Sequence, residues 1–248
     1  MSTAEATKRL AQTSPAVKAR IAALLCLIDG VAASFAEFFV RGKLIVYSDA
    51  AVTANNILAH QTLYRLGAAA WLVALASDAV AAVIFYDLLK PVSKNLSLLV
   101  ASFRLLFVAI MGVNSLNFFA PLTLLQGSSC LIAFKIDQLQ ALTLASHNLF
   151  NTGYDISMVF WGFHIILMGC LILRSTFLPR TLGALLTVGG LCYLINSFAD
   201  FLKPSFGNAL GLYIVVPGAL AELLLTLWLL VMGVNVQRWK EQASAAAE

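Results

Sequence analysis

Runs of roughly 20 apolar residues recur along nearly the whole chain, and few features leave a polypeptide less freedom of fold. A helix of that length crosses the hydrocarbon core of a bilayer, about 30 Å thick at 1.5 Å of rise per residue. Six such runs can be drawn, at residues 21–40, 66–87, 97–120, 156–174, 180–199 and 211–235, all rich in Leu, Ala, Val, Ile and Phe. They are continuous rather than alternating, whereas a β-barrel span is about ten residues with every other side chain polar. Lipid offers backbone N–H and C=O groups no partners, so the spans must be helices. Composition excludes the soluble alternative: 60% of the 248 residues are hydrophobic and 11% charged, against roughly 45–50% and about 25% in soluble proteins. The expected fold is all-α, a polytopic membrane bundle of six transmembrane helices. Its expected parts are an N-terminal segment 1–20, a transmembrane domain 21–235 and a C-terminal tail 236–248.

The net charge of +4 is small and scattered, so the expected partner is the lipid bilayer and not nucleic acid. The basic residues instead carry orientation. With the N-terminus inside, Lys8, Arg9, Lys18, Arg20, Lys90, Lys94, Arg174, Arg180, Arg238 and Lys240 fall on the cytoplasmic side. Arg41, Lys43, Arg65, Lys135 and Lys203 fall on the other, and Arg104 lies within a span. That two-to-one bias predicts both termini in the cytoplasm of a multi-pass membrane protein. The first run resembles a secretory signal, but Asp29 interrupts it and five further spans follow, so it reads as a retained helix. Cys26, Cys130, Cys170 and Cys192 stand singly, as buried small hydrophobes would.

Two outer loops are longer than a turn. Ser48 and Asp49 offer an N-cap ahead of Ala50 to His60, which predicts a short interfacial helix. Leu131 to Tyr154 also reads as helical, running into the fourth span as one long helix.

Ionisable residues at membrane depth are the anomaly that could carry function. Asp29 and Glu37 lie in the first span, Asp78 in the second, Arg104 in the third, His164 in the fourth and Glu222 in the sixth. A charge at a helix centre costs about 2.5–3.5 kcal/mol on insertion scales, so these groups should face one another rather than lipid. Asp29, Asp78, Arg104, His164 and Glu222 are the expected binding site for a small solute or ion. Asp78 and Arg104 admit two readings, an ion pair that fixes helix register or part of an anion or proton site. Glu37 and Arg41 are spaced for a local pair. Glu222 follows Pro217 and Gly218, a pattern of kinked or interrupted helices but also of ordinary membrane-helix packing.

A second polar set, His147, Asn151 and Asp155 with Tyr154 beside them, forms a stripe at the outer end of the fourth helix, best read as solvent-facing. His147 and Asp155 with His60 make a candidate metal set, three being the usual number of protein ligands. Asn114 with Asn117, and Asn196 with Asp200, are spaced one turn apart for hydrogen bonding within and between helices. The sequence has no H-E-x-x-H, G-x-S-x-G, P-loop or dinucleotide fingerprint. Its three histidines also lack the i,i+4 pair of the membrane hydrolases related to ceramidases.

The strings Ala36-Glu-Phe-Phe-Val-Arg-Gly-Lys43, Asn56-Ile-Leu-Ala59, Tyr64-Arg-Leu-Gly67, Tyr86-Asp-Leu-Leu-Lys-Pro91, Gly153-Tyr-Asp155, Phe177-Leu-Pro-Arg180 and Tyr193-Leu-Ile-Asn-Ser-Phe198 resemble the DUF4386 family of uncharacterised bacterial membrane proteins. The resemblance covers most of the chain after residue 16 and implies an inner-membrane helical bundle. It transfers no catalytic or binding residue. Three functions stay open: a small-solute or ion binding and transport bundle, a non-catalytic subunit of a homo-oligomer or larger membrane complex, and a membrane enzyme with metal or haem at the outer histidine layer. The cofactor and the small-molecule ligand are not specified by the residues.

Overall fold

The computed structural model describes residues 14–126 and 133–246, with backbone alone over 204–212. Cys130 and the basic residues Lys8 and Arg9 lie outside the described residues. Among the described residues there is no strand. The helices are α1 (Pro15–Leu44), α2 (Ala50–Ala59), α3 (Gln61–Leu89), α4 (Lys94–Leu125), α5 (Ile136–Arg174), α6 (Arg180–Leu202), α7 (Pro204–Val231) and α8 (Val236–Ala245). Six are long and apolar enough to cross a membrane, with Tyr213–Val231 the qualifying part of α7. Side chains such as Val31, Val113, Leu116 and Val231 are exposed by more than 60% on these spans. That would be untenable in water but suits a lipid solvent.

Helix ends follow local chemistry. Asp49 caps α2, its carboxylate accepting from Val52 N at 2.9 Å, as its position before an apolar run requires. α5 is one continuous helix from Ile136, so the polar second loop and the fourth span share a single hydrogen-bond ladder. The sixth span, expected to reach residue 235, stops at Val231. Gly233 then takes φ 68°, a left-handed conformation that glycine adopts without strain. Asn235 restarts the chain as α8, its side chain accepting from Arg238 N at 3.1 Å. Residues 236–245 are therefore helical, where the sequence suggested only a tail. α7 runs through Pro217 without interruption.

α1 holds the main irregularity. Residues Phe35–Arg41 wind as a π-helix, with Gly42 N bonding to Glu37 O and Val40 O. The wider turn buries Ala36, Val40 and Arg41 together. Such segments recur at functional sites.

The helices divide into two compact units. The first comprises the chain up to Leu27, Ala79–Leu105 and everything from Met158; the second comprises Ile28–Asp78 and Leu106–Ser157. In the first unit α5 and α6 run antiparallel and meet through glycines. A Cβ on Gly169 would lie 2.6 Å from Gly183 O, and one on Gly190 would lie 2.8 Å from Gly162 O. Both helices space these glycines seven apart, which keeps them on one seam. An adjacent face of α6 meets α7 where a Cβ on Gly189 would fall 2.6 Å from Gly218 Cα. Gly218 thus serves packing. The second unit is built on aromatic rings: Tyr64 stacks on Phe118 at 4.9 Å, Phe118 meets Phe150 edge-on at 5.6 Å, and Trp71 meets Phe150 at 5.9 Å.

Candidate functional site

In the first unit, Trp161 on α5 gathers three of the five expected binding residues. Its Nε1 donates to Glu222 Oε1 at 3.2 Å. The Arg104 guanidinium lies 5.2 Å from its ring centroid, and the His164 ring 5.1 Å. Arg104 also lies 5.3 Å from the Phe85 ring and donates to Cys26 Sγ at 3.4 Å. It is 3% exposed and His164 is 0% exposed. Aromatic faces carry partial negative charge, so two of them beside a guanidinium help offset its desolvation.

His164 is oriented by α4. Its Nδ1 lies 2.9 Å from Val100 O. A carbonyl only accepts, so Nδ1 carries the proton and donates. Nε2 is left as a buried atom with no hydrogen-bond partner among the described residues. Such an atom in a polar setting calls for an explanation.

Asp29 and Asp78 belong to the second unit. Asp78 is fully buried and Asp29 is partly exposed. Neither they nor Arg104, Asp155 or Glu222 lack an interacting partner.

The second unit centres on a residue that the sequence reading left in a local pair. Arg41, 7% exposed, donates through Nη1 to Glu37 Oε1 and Oε2 at 2.8 and 2.7 Å. Its Nη2 donates to Tyr47 OH at 2.9 Å and to Asn151 Oδ1. The guanidinium lies 4.4 Å from the Phe150 ring centroid. The π segment brings Glu37 and Arg41 into this cluster, and Asn151 reaches it from α5. Next to it, Tyr64 OH donates to Phe118 O at 2.6 Å and lies 3.1 Å from His147 Nε2. Because that hydroxyl proton is committed to the carbonyl, His147 Nε2 donates to the phenol oxygen. Asn114 Nδ2 donates to Phe150 O at 2.8 Å, and Gly153 leaves room for the Asn114 side chain.

The outer stripe is therefore not solvent-facing throughout, since His147 is 0% exposed. Its ring is held by Tyr64, whereas exposed His60 turns its Nδ1 to Asn56 O at 3.1 Å, at the end of its own helix. Among the described residues no group of three or more His, Cys, Asp or Glu side chains could hold a metal, so His60, His147 and Asp155 do not form a ligand set. Cys26, Cys170 and Cys192 are half-buried rather than buried. Asn196 Nδ2 donates to Asp200 Oδ2 at 3.0 Å, as their spacing suggests.

Trp161, Tyr64 and Phe150 were not singled out by sequence reasoning, because aromatic residues in an apolar span look like any other core residue. The usable signal for Trp161 was its place one turn before His164.

Among the described residues, six apolar helices of membrane-crossing length with exposed apolar faces define a polytopic α-helical membrane protein. The chain belongs to the DUF4386 family, a domain of unknown function whose model matches residues 21–233. It is similar to an uncharacterized protein of Archaeoglobus fulgidus, 29% identical over 156 residues that span 63% of this chain and 76% of that relative. No solved structure matches the chain significantly.

Proposed function

We propose that the protein is a small-solute or ion binding and transport bundle whose polar site is the Arg104, Trp161, His164 and Glu222 cluster. The observation that carries this reading is His164 Nε2, fully buried yet without a hydrogen-bond partner among the described residues, in a cluster where the neighbouring Trp161 and Glu222 are bonded to each other. A lone pair so placed can accept a proton or a donor group of a solute. Asp29 and Asp78 take no part in this site as proposed. The same reading puts both termini in the cytoplasm, on the Lys and Arg bias of the loops, and the bundle in the plasma membrane, as the family resemblance implies.

A competing reading is a non-catalytic subunit of a larger membrane complex, with buried charges serving only helix register. It draws support from the fact that Asp29, Asp78, Arg104 and Glu222 all have partners.

Proteoliposomes carrying an interior pH-sensitive dye separate the two. Under an imposed potential, with and without external acetate or glycine, the protein should change interior pH faster than empty vesicles. His164→Gln and Glu222→Gln should abolish the difference, while Tyr64→Phe, in the other unit, should leave it. If the native protein matches empty vesicles under all these conditions, the subunit reading takes over.

A further inference from the structure

The first unit carries a cleft of about 820 Å³ where the α5–α6 loop meets α8, lined by Ser175, Thr176, Arg180, Arg238, Glu241 and Gln242 among others. Its walls are tied together. Thr176 N and Oγ1 both donate to Gln242 Oε1 at 3.0 Å, and Gln242 Nε2 donates to Arg174 O at 3.4 Å. Arg238 Nη1 reaches Thr176 O at 3.4 Å. From the other side, Trp239 Nε1 donates to Leu88 O at 2.8 Å, which anchors α8 to the end of α3. The cleft is thus preformed, so a ligand there would lose little to ordering the site.

Its charge and level in the fold define what it can hold. Arg180 and Arg238 stand in the lining against one carboxylate, Glu241, which accepts from Gln237 Nε2 at 3.2 Å. Neither arginine makes a salt bridge among the described residues. The first turn of α6 opens here behind Pro179, which provides no side-chain cap, so its backbone N–H groups add partial positive charge. Arg174 ends α5, Arg180 begins α6 and α8 starts five residues after α7 ends. The cleft therefore lies where three spanning helices leave the apolar layer, at headgroup depth. Around the same end of the unit stand Lys90 and Lys18, both paired to Asp87, and Lys94 at the start of α4.

We infer that this cleft is a binding site for the phosphodiester of an anionic phospholipid, held by the Arg180 and Arg238 guanidinium groups with the Thr176 and Ser175 side of the loop beneath it. Arginine suits this role because its planar donors match phosphate oxygens in pairs. Basic pockets at the ends of spanning helices are a recurrent way of holding anionic headgroups. The inference stands independently of the solute site above, since it uses none of the same residues.

The test is the apparent unfolding temperature of the full chain, delipidated in a neutral detergent and supplied with dioleoyl phosphatidylglycerol or dioleoyl phosphatidylcholine. Phosphatidylglycerol should raise it by about 5 °C at saturation, phosphatidylcholine much less. Arg180→Gln combined with Arg238→Gln should remove the shift. Arg20→Gln combined with Lys94→Gln, the same charge change away from the cleft, should keep it. Both pairs are exposed, so the variants should fold. An equal shift in the two double variants would overturn the inference in favour of general attraction to a basic face. A full shift from inorganic phosphate or glycerol 3-phosphate alone would overturn it in favour of a soluble anion.

Discussion

A single methyl group on Gly169 should pry apart α5 and α6, whereas the same methyl on Gly112 should stabilise the protein. At Gly169 the new carbon would lie 2.6 Å from Gly183 O and 2.8 Å from Thr187 N, where ordinary contact begins at 3.4 Å. Both are backbone atoms that cannot rotate away, so the helices must separate by about 0.8 Å. Overpacking of that kind costs typically 1–3 kcal/mol. The gain from replacing glycine in a helix recovers at most about 1 kcal/mol. At Gly112, in the middle of α4, a Cβ meets nothing within 4 Å, so only the gain remains. The gain is common to both variants and cancels, so they should differ by the overpacking cost alone, about 1–3 kcal/mol. At roughly 2–4 °C per kcal/mol for a chain of this size, that is an unfolding-temperature gap of about 2–12 °C, with Gly169→Ala the lower. Adding Gly183→Ala to Gly169→Ala should cost less than the sum of the single changes, because either methyl alone opens the same seam. Differential scanning in detergent or a lipid nanodisc measures the native protein, the three single variants and the double variant. Equal unfolding temperatures for Gly169→Ala and Gly112→Ala would refute the claim that this seam depends on backbone contact.

Two other predictions concern the second unit. Tyr64→Phe removes the acceptor of the buried His147 N–H and the donor to Phe118 O, and should lower stability by about 1–3 kcal/mol in the same measurement; no change would mean that His147 is held otherwise. Glu37→Gln should destabilise by about 2 kcal/mol, since it leaves the Arg41 charge buried with only neutral acceptors, and Arg41→Lys should not restore what the planar fork provides. A fully stable Arg41→Lys protein would show that the fork geometry at Tyr47 and Asn151 is not needed.

Several features were legible in the residues because each is a local consequence of chain chemistry. Six spans follow from apolar run length alone, since any backbone in lipid must satisfy itself by helix formation. The helix at Ala50–Ala59 was marked by its Asp49 cap, and the Glu37 and Arg41 pair by one-turn spacing. Continuity of α5 through the polar second loop was also readable, because no proline interrupts it.

Which residue meets which was not legible, because spacing along a helix fixes a face but not the rotation of that helix against its neighbours. His147, Asn151 and Asp155 share a stripe, and stripe logic alone turned His147 toward water. Only packing against Tyr64 and Phe118 buries it. The same holds for Arg104, His164 and Glu222, drawn from three different helices and joined by a tryptophan with no sequence mark of function. The sequence by itself determined that the chain must be a bundle of membrane helices, because lipid offers the backbone no other partners. The tertiary structure alone decided which charges share a cluster, where glycine lets backbones touch, and that residues after Gly233 fold back as a helix to close a basic cleft. Those choices depend on side-chain shapes brought together from distant parts of the chain, which no run of consecutive residues encodes.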